Sequence, residues 1–508
     1  MKNKFFYIFV VVVITTTFYL RTYRLPETIM FLSDQGRDAI VLKRLVTLEK
    51  FVFVGPTTSI GNVFTGPFYY YLVAPFMALW SLDPAGPAYG VAIINTLGLI
   101  LCTYLTARFF NKKIATIFLI LTAFSANQIL QSRFSWNPNP LSTFAFLTLL
   151  AMFYAHKTNK KIAYVATGLL VGTSIQLHYI AAAVPFFTLG FFDFSKKSIE
   201  HVKRNKKQIL IGVAIATFVA IATFTPLILF EIKNGFINTK TLFRATSSGE
   251  IQAANTTYSQ RLNDTAKYYL LHAFSINIFD GSLALTIFLL VLILATFIAY
   301  RKRDDSSIFA RGSIAVILVN ILALSRIETG RHVHYYNPSY LVSFFLAGYL
   351  FDKSFSFLKN IWWKVFITLL SAALIAAFLY NQYPNLKFIF EPHKTDTQAS
   401  HAKSVAEYIK SQKTSDSFQV VGLPFYETEG HYRYYLEILG ARPMPADTLG
   451  DPKELFVICH TLDKKDCDIP GNAQWQLADF QNRHPNWKFD NKATKTIDDI
   501  VRIYKLVY

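Results

Sequence analysis

The sequence predicts a polytopic α-helical membrane protein with an α/β domain outside the membrane at its C-terminal end. Three observations carry that prediction. The chain has 508 residues, of which 52% are hydrophobic, 16% are charged and 47 are phenylalanine, whereas soluble domains hold about 25% charged residues. Apolar runs of membrane-spanning length recur up to about residue 383. Beyond residue 384 the charges mix and the apolar runs shorten to strand length.

The N-terminus, "MKNKFFYIFVVVVITTTFYL", has lysines ahead of an apolar stretch and continues into "RTYRLP" without a small-residue cleavage site. It reads as an uncleaved first helix with its N-terminus in the cytoplasm. Further spans begin near residues 85, 113, 139, 161, 179, 208, 281, 307, 335 and 361, for about eleven crossings in all. With Met1 inside, the inner loops carry Arg108, Lys112 and Lys113, then Lys157, Lys160 and Lys161, then the lysines and Arg204 between 196 and 207, then Arg301–Arg303, then Lys353 and Lys359. Every inner loop of this topology is basic, as the positive-inside rule requires, and the C-terminus falls outside the cell. The net charge of +19 is therefore read as orientation in a cell membrane, not as a nucleic-acid groove.

The predicted domains are a transmembrane catalytic part, 1–383, with long outer loops at 21–84 and 232–280, and an extracytoplasmic α/β part, 384–508. The stretch "GPFYYYLVAPFMALWSL" (66–82) is apolar but short and holds Pro67 and Pro75, which predicts an interfacial or re-entrant helix. In the last part, "FQVVGL", "ELFVICH" and "IVRIYKLV" read as strands, and "SHAKSVAEYIKSQ" and "EGHYRYYLEIL" as helices. Cys459 and Cys467 both lie there, in a compartment that permits a disulfide.

No P-loop, GxGxxG, HExxH or GxSxG occurs. The inner loops are too short for a nucleotide-binding domain, so any chemistry belongs to the outer face and to substrates available there, such as lipid-linked donors. Polar residues gather at four outer helix ends: Asp34, Arg37 and Asp38; "QSRFSWNPNP" with Arg133, Trp136 and Asn137; "QLHY" with His178 and Tyr179; and "RIETGRHVHYYNPSY" with Arg331, His332, His334 and Tyr335. Transfer from a phosphate-linked donor needs one carboxylate to take the proton of an attacking hydroxyl. It also needs cations and hydrogen-bond donors at the departing phosphate.

Each cluster has a plainer reading. Asp34 and Asp38 share a helix face and equally describe the wet side of an interfacial helix. Arg133 and Arg331 fit as headgroup anchors, "FYYYL" as an interfacial aromatic belt, and His178 as a packing histidine. Their common position on one membrane face favours a site.

The order of these segments resembles the GT-C superfamily of membrane glycosyltransferases, in the branch related to protein O-mannosyltransferases and lipid A aminoarabinose transferases. Asp34-Gln35 followed by "GRDA" stands where the family has an Asp-Glu pair. "GPFYYYLVAPF" stands for its "PPLYYWL"-like segment and "TARFFNKK" for its cytoplasmic turn; "SRFSWNPNP", "QLHY" and "HYYNPSY" are also of the kind seen there. The resemblance implies a polyprenyl-phosphate-linked sugar donor, a hydroxyl acceptor on a protein, lipid or glycan, inversion at the anomeric carbon, and Asp34 as base. Gln35 replaces the second acid of the pair, which leaves Asp38 to supply it. Thr65-Gly66 stands where a phosphate-facing lysine often begins the next motif, so Arg133, Arg331 or a histidine must meet the phosphate. Asp34, Asp38 and the histidines could hold a divalent metal, though no ligand spacing demands one. The rival reading is a transporter or flippase of lipid-linked sugars, against which stands the lack of any inverted repeat.

Overall fold

The computed structural model describes residues 2–58, 61–192, 196–247, 256–326, 332–357, 359–391, 395–424, 429–446, 448–460 and 467–508. Arg331, one of the expected phosphate ligands, lies outside them.

The chain opens with α1 (Lys2–Thr22), the short α2 (Leu25–Thr28) and α3 (Ser33–Val46). In α3 the Gln35 side chain turns back to accept from the Leu32 backbone N–H at 3.0 Å, closing the first turn. Asp34 in that turn and Lys43 and Arg44 in the last complement the helix dipole. A two-stranded antiparallel hairpin, β1 (Thr57–Thr58) and β2 (Gly61–Phe64), leads to α4 (Phe68–Leu79). The twelve residues of α4 rise about 18 Å, short of a hydrocarbon core of about 30 Å.

The membrane part continues through α5 (Ala85–Phe109), α6 (Lys112–Phe124), α7 (Ala126–Gln131), α8 (Leu141–Thr158) and α9 (Lys161–Leu177). A 3₁₀ segment, Tyr179–Phe191, precedes α10 (Lys196–Thr223), α11 (Thr225–Lys233), α12 (Ile237–Ser247) and α13 (Tyr258–Phe274). Then come α14 (Gly281–Lys302), α15 (Asp305–Leu324), α16 (Asn337–Phe357) and α17 (Ile361–Leu386).

Among the described residues, six helices are long and apolar enough to cross a membrane, namely most or all of α1, α5, α10, α14, α15 and α17. The other expected crossings fall on shorter or more internal elements, including the 13-residue 3₁₀ segment that begins at Tyr179. Leu290, Ile293 and Phe297 of α14 and Trp362, Leu369 and Leu374 of α17 are exposed. Such an apolar surface is what a lipid solvent accepts and water does not. The chain is a membrane protein.

The C-terminal part is an α/β domain. Its helices are α18 (Ala399–Gln412), α19 (Gly430–Ile438) and α20 (Trp475–Arg483); its strands are β3 (Phe418–Leu423), β4 (Glu454–Cys459), β5 (Lys488–Phe489), β6 (Lys495–Ile497) and β7 (Val501–Val507). β3 runs parallel to β4, β7 lies antiparallel on the other side of β4, and β5 and β6 both pair with β7. β3 and β4 are buried along their whole length, as continuous apolar runs in a covered sheet should be. One face packs Val421, Leu455 and Val457 with Leu477 and Phe480 of α20. A disulfide joins Cys459 to Cys467 on that side.

The other face turns toward the membrane. Val420, Phe456 and Ile503 join α18, α19 and the membrane helices in one continuous core. The meeting point is α3. Gly36 of α3 and Gly430 and His431 of α19 leave no room for a side chain: a Cβ on Gly36 would lie 2.2 Å from the His431 backbone nitrogen. Phe31 meets the rings of Tyr434 and Tyr435 edge-on, and its N–H donates to Thr397 O at 2.8 Å. Glu437 receives Arg44 at 3.1 Å and Lys43 at 3.4 Å. The C-terminal domain is thus a clamp on α3.

Candidate active site

The carboxylates that the sequence places on one helix face have opposite surroundings. The Asp34 side chain is 50% exposed, and that of Asp38 only 2%. Arg37 joins them. Its Nη1 donates to Asp34 Oδ1 at 3.0 Å and to Thr57 Oγ1 of the hairpin at 3.2 Å. Its Nε and Nη2 both donate to Asp38 Oδ1, at 3.0 and 2.9 Å. Tyr70 Oη donates to the same oxygen at 2.7 Å. Burial pushes the Asp38 carboxyl up, against the pull of Arg37 and Tyr70. Burial also works against the Arg37 charge, but Asp38 and Asp34 outweigh it and keep the guanidinium protonated. Asp34 is open to the surface and Asp38 is closed off, so Asp38 serves to hold Arg37 in place.

The "FYYYL" segment contributes more than an aromatic belt. Tyr69 and Tyr70 are buried and point their hydroxyls to two different partners. Tyr70 holds Asp38, while Tyr69 shares a 2.5 Å hydrogen bond with Ser135. Two adjacent tyrosines of α4 thereby tie the carboxylate cluster to the "SRFSWNPNP" loop. Gly66 makes the approach to this segment close, since a Cβ there would fall 2.3 Å from the Gln176 side chain, whose Oε1 accepts from Phe68 N–H at 3.3 Å. Nothing in local sequence periodicity signals these partners, which lie 32 and 66 positions away.

Trp136, His178, His332, His334 and Tyr335 come together as a second cluster. Trp136 meets His334 edge-on with ring centres 4.5 Å apart; His178 lies 5.3 Å and His332 5.7 Å from His334, and Tyr335 packs against all three histidines. Burial, with His178 and His332 nearby, pushes the His334 imidazole down to about 2, so it is neutral at any physiological pH. Asn137 donates to Leu177 O at 2.6 Å, and Tyr179 donates to Phe64 O at 2.5 Å. These two hold the loop and the hairpin to the α9 end. Among the described residues, no group of three His, Cys, Asp or Glu side chains converges as a metal site.

Arg133 is buried at the end of α1. Nη1 donates to Leu20 O at 2.6 Å, and Nη2 to Tyr23 O at 2.9 Å and Thr28 Oγ1 at 2.5 Å. Its charge sits where the last carbonyls of a helix carry partial negative charge.

Bundle, hairpin, short α4 and clamping α/β domain together make a helical membrane fold of the GT-C type. The comparisons agree. The family model described as dolichyl-phosphate-mannose-protein mannosyltransferase matches residues 65–224. The chain is similar to ArnT from Cupriavidus metallidurans in its apo state, with a TM-score of 0.61 and 12% identity over 99% of this chain and 98% of that one. It is equally similar to the same protein bound to undecaprenyl phosphate, with a TM-score of 0.61 and 13% identity over 98% and 97% of the two chains. The oligosaccharyltransferase of Archaeoglobus fulgidus, in its apo form, matches with a TM-score of 0.53 and 14% identity, over 85% of this chain and 64% of that one. At such identities the likeness is one of fold. No curated protein matches the sequence.

Proposed function

We propose that this chain is a glycosyltransferase that moves a sugar from a polyprenyl-phosphate donor to a hydroxyl acceptor at the outer face of the membrane, with Asp34 as base. The observation that carries the reading is the half-exposed Asp34 carboxylate, fixed by an arginine that is itself anchored on a buried carboxylate. In this reading the acceptor O–H gives its proton to Asp34 as its oxygen attacks the anomeric carbon. The bond from that carbon to the donor phosphate breaks, and polyprenyl phosphate leaves as an anion that needs no general acid. One carboxylate without a partner nucleophile fits a single displacement, hence inversion. Arg37, Arg331, His178 and His332 are the groups assigned to the donor phosphate and sugar. The similarity to a fold relative bound to undecaprenyl phosphate supports the donor class. The topology that goes with this reading has the N-terminus in the cytoplasm and the C-terminus outside the cell membrane.

The test is incubation of purified protein with polyprenyl-phosphate sugars and a mixed hydroxyl acceptor. Release of polyprenyl phosphate is expected, and Asp34→Asn should slow it by about 10²–10⁴-fold, the usual worth of a general base. Full activity in Asp34→Asn would exclude the mechanism. Translocation of the intact donor without release would favour the transporter reading instead.

A further inference from the structure

A cavity of about 840 Å³ lies between α7, α13, α17 and the loop 132–140, under residues 395–398 of the outer domain. It falls within the range of about 300–1,000 Å³ typical of small-molecule sites, yet neither Asp34, Arg37 nor Asp38 lines it. Its polar lining is chiefly carboxamide: Asn127, Gln131, Asn139, Asn381, Asn385 and Gln398. Phe134, Trp136, Tyr380 and Phe388 add aromatic faces.

Among the described residues, no carboxylate and no lysine is part of this lining. The cation among its described residues is Arg133, whose terminal nitrogens are engaged by Leu20 O, Tyr23 O and Thr28 Oγ1. Burial pushes its two imidazoles, His272 and His334, toward the neutral form. Gln131 and Asn139 are more than nine-tenths buried. Gln131 spends its nitrogen on Asn127 Oδ1 at 2.7 Å and Asn139 its nitrogen on Phe134 O at 2.8 Å. Gln131 Oε1, Asn139 Oδ1, Asn127 Nδ2 and Arg133 Nε have no protein partner. Two acceptors and two donors of this kind call for a group that both donates and accepts, as a hydroxyl does. The ligand that suits them is neutral, carries several hydroxyls, and has an apolar face for the aromatic rings.

The geometry points to this cavity as the binding site for a neutral sugar unit of a glycan acceptor, apart from the hydroxyl that reacts. This rests on the transferase reading above. A donor sugar fits less well, because it is tied to a phosphate, and Arg133 keeps only its Nε, a single donor, for one.

The test is saturation-transfer NMR on the full-length protein in detergent, with the methyl glycosides of mannose, galactose and glucose as probes, and glucuronate as the charged control. A neutral glycoside should receive saturation more strongly than glucuronate. Gln131→Leu and Asn385→Leu should each weaken its binding by about fivefold, the loss of one hydrogen bond. Asn385 is an exposed wall residue of α17, so that variant carries the test if Gln131→Leu does not fold. Binding should survive unchanged in Asp34→Asn. The proposal is overturned if no neutral glycoside binds, if both folded variants bind as the wild type does, if glucuronate binds as well, or if geranylgeranyl phosphate competes with the glycoside. Sugar binding together with an absence of transfer in the wild type would overturn the transferase reading and leave this site standing.

Discussion

Gly36→Ala should damage transfer more than stability. A methyl group at this position would stand 2.2 Å from His431 N and 2.3 Å from Gly430 C and His431 Cα. Ordinary contact begins at 3.4 Å, so α3 and α19 must separate by roughly 1 Å. The obstructing atoms are backbone, so no side chain can swing aside. Overpacking of this kind costs about 1–3 kcal/mol, while alanine returns about 1 kcal/mol of helix propensity over glycine. The net loss of stability is therefore small, on the order of 1 kcal/mol. The displacement, however, falls one turn from Asp34 and Arg37, and a misplacement of about 1 Å can lower a rate about 10²-fold. The assay is release of polyprenyl phosphate, with a thermal melt of the same sample. Gly36→Ala with wild-type turnover would refute the idea that the C-terminal domain sets the position of α3. So would a loss of turnover explained wholly by unfolding.

Other outcomes follow from the same geometry. Tyr70→Phe removes one donor from the buried Asp38 carboxylate and should cost about 1.5–3 kcal/mol, read in a thermal melt; a change below about 0.5 kcal/mol would show the bond to be unimportant. His431 and His460 are held below the ordinary histidine value by burial, His460 at about 4 and His431 well down. The unfolded chain then binds more protons than the folded one as pH falls below about 6.5, so stability is full above that pH. It should decline by up to about 1.4 kcal/mol per pH unit for each histidine as pH falls toward 4. Melting curves of wild type and His431→Gln at pH 5 and 7.5 check this, and a pH-independent midpoint would contradict it. Cys467→Ser opens the bond to Cys459 and should destabilise the outer domain by about 2–3 kcal/mol, seen as earlier proteolysis of the C-terminal part while the membrane helices stay protected.

What could be read from the sequence was what is local. Membrane crossings such as α1, α5 and α14 announce themselves because apolar length is sufficient for insertion. The strands β3, β4 and β7 appear as short apolar runs between polar turns. The brevity of α4 also follows from composition. Asp34, Arg37 and Asp38 could be placed on one helix because their spacing is helical. The 3₁₀ segment from Tyr179 could not be foreseen, since an apolar run looks the same in either helix.

The division of labour within the site was not legible. Asp34 and Asp38 are the same residue type in the same helix, and only their neighbours separate them. Tyr70 comes from α4, Thr57 from the hairpin and Glu437 from α19, which is 393 positions beyond Arg44. "FYYYL" looked like a belt because the sequence does not say what each hydroxyl will meet. Likewise, nothing in "QSRFSWNPNP" alone reveals that Arg133 ends on the carbonyls of α1. Hydrophobic pattern and helical spacing are properties of consecutive residues, so the sequence by itself determined the class of protein and the helix that bears the acid. Burial and hydrogen bonding depend on segments brought together by the fold, so only the tertiary structure decided which carboxylate is exposed and what holds it there.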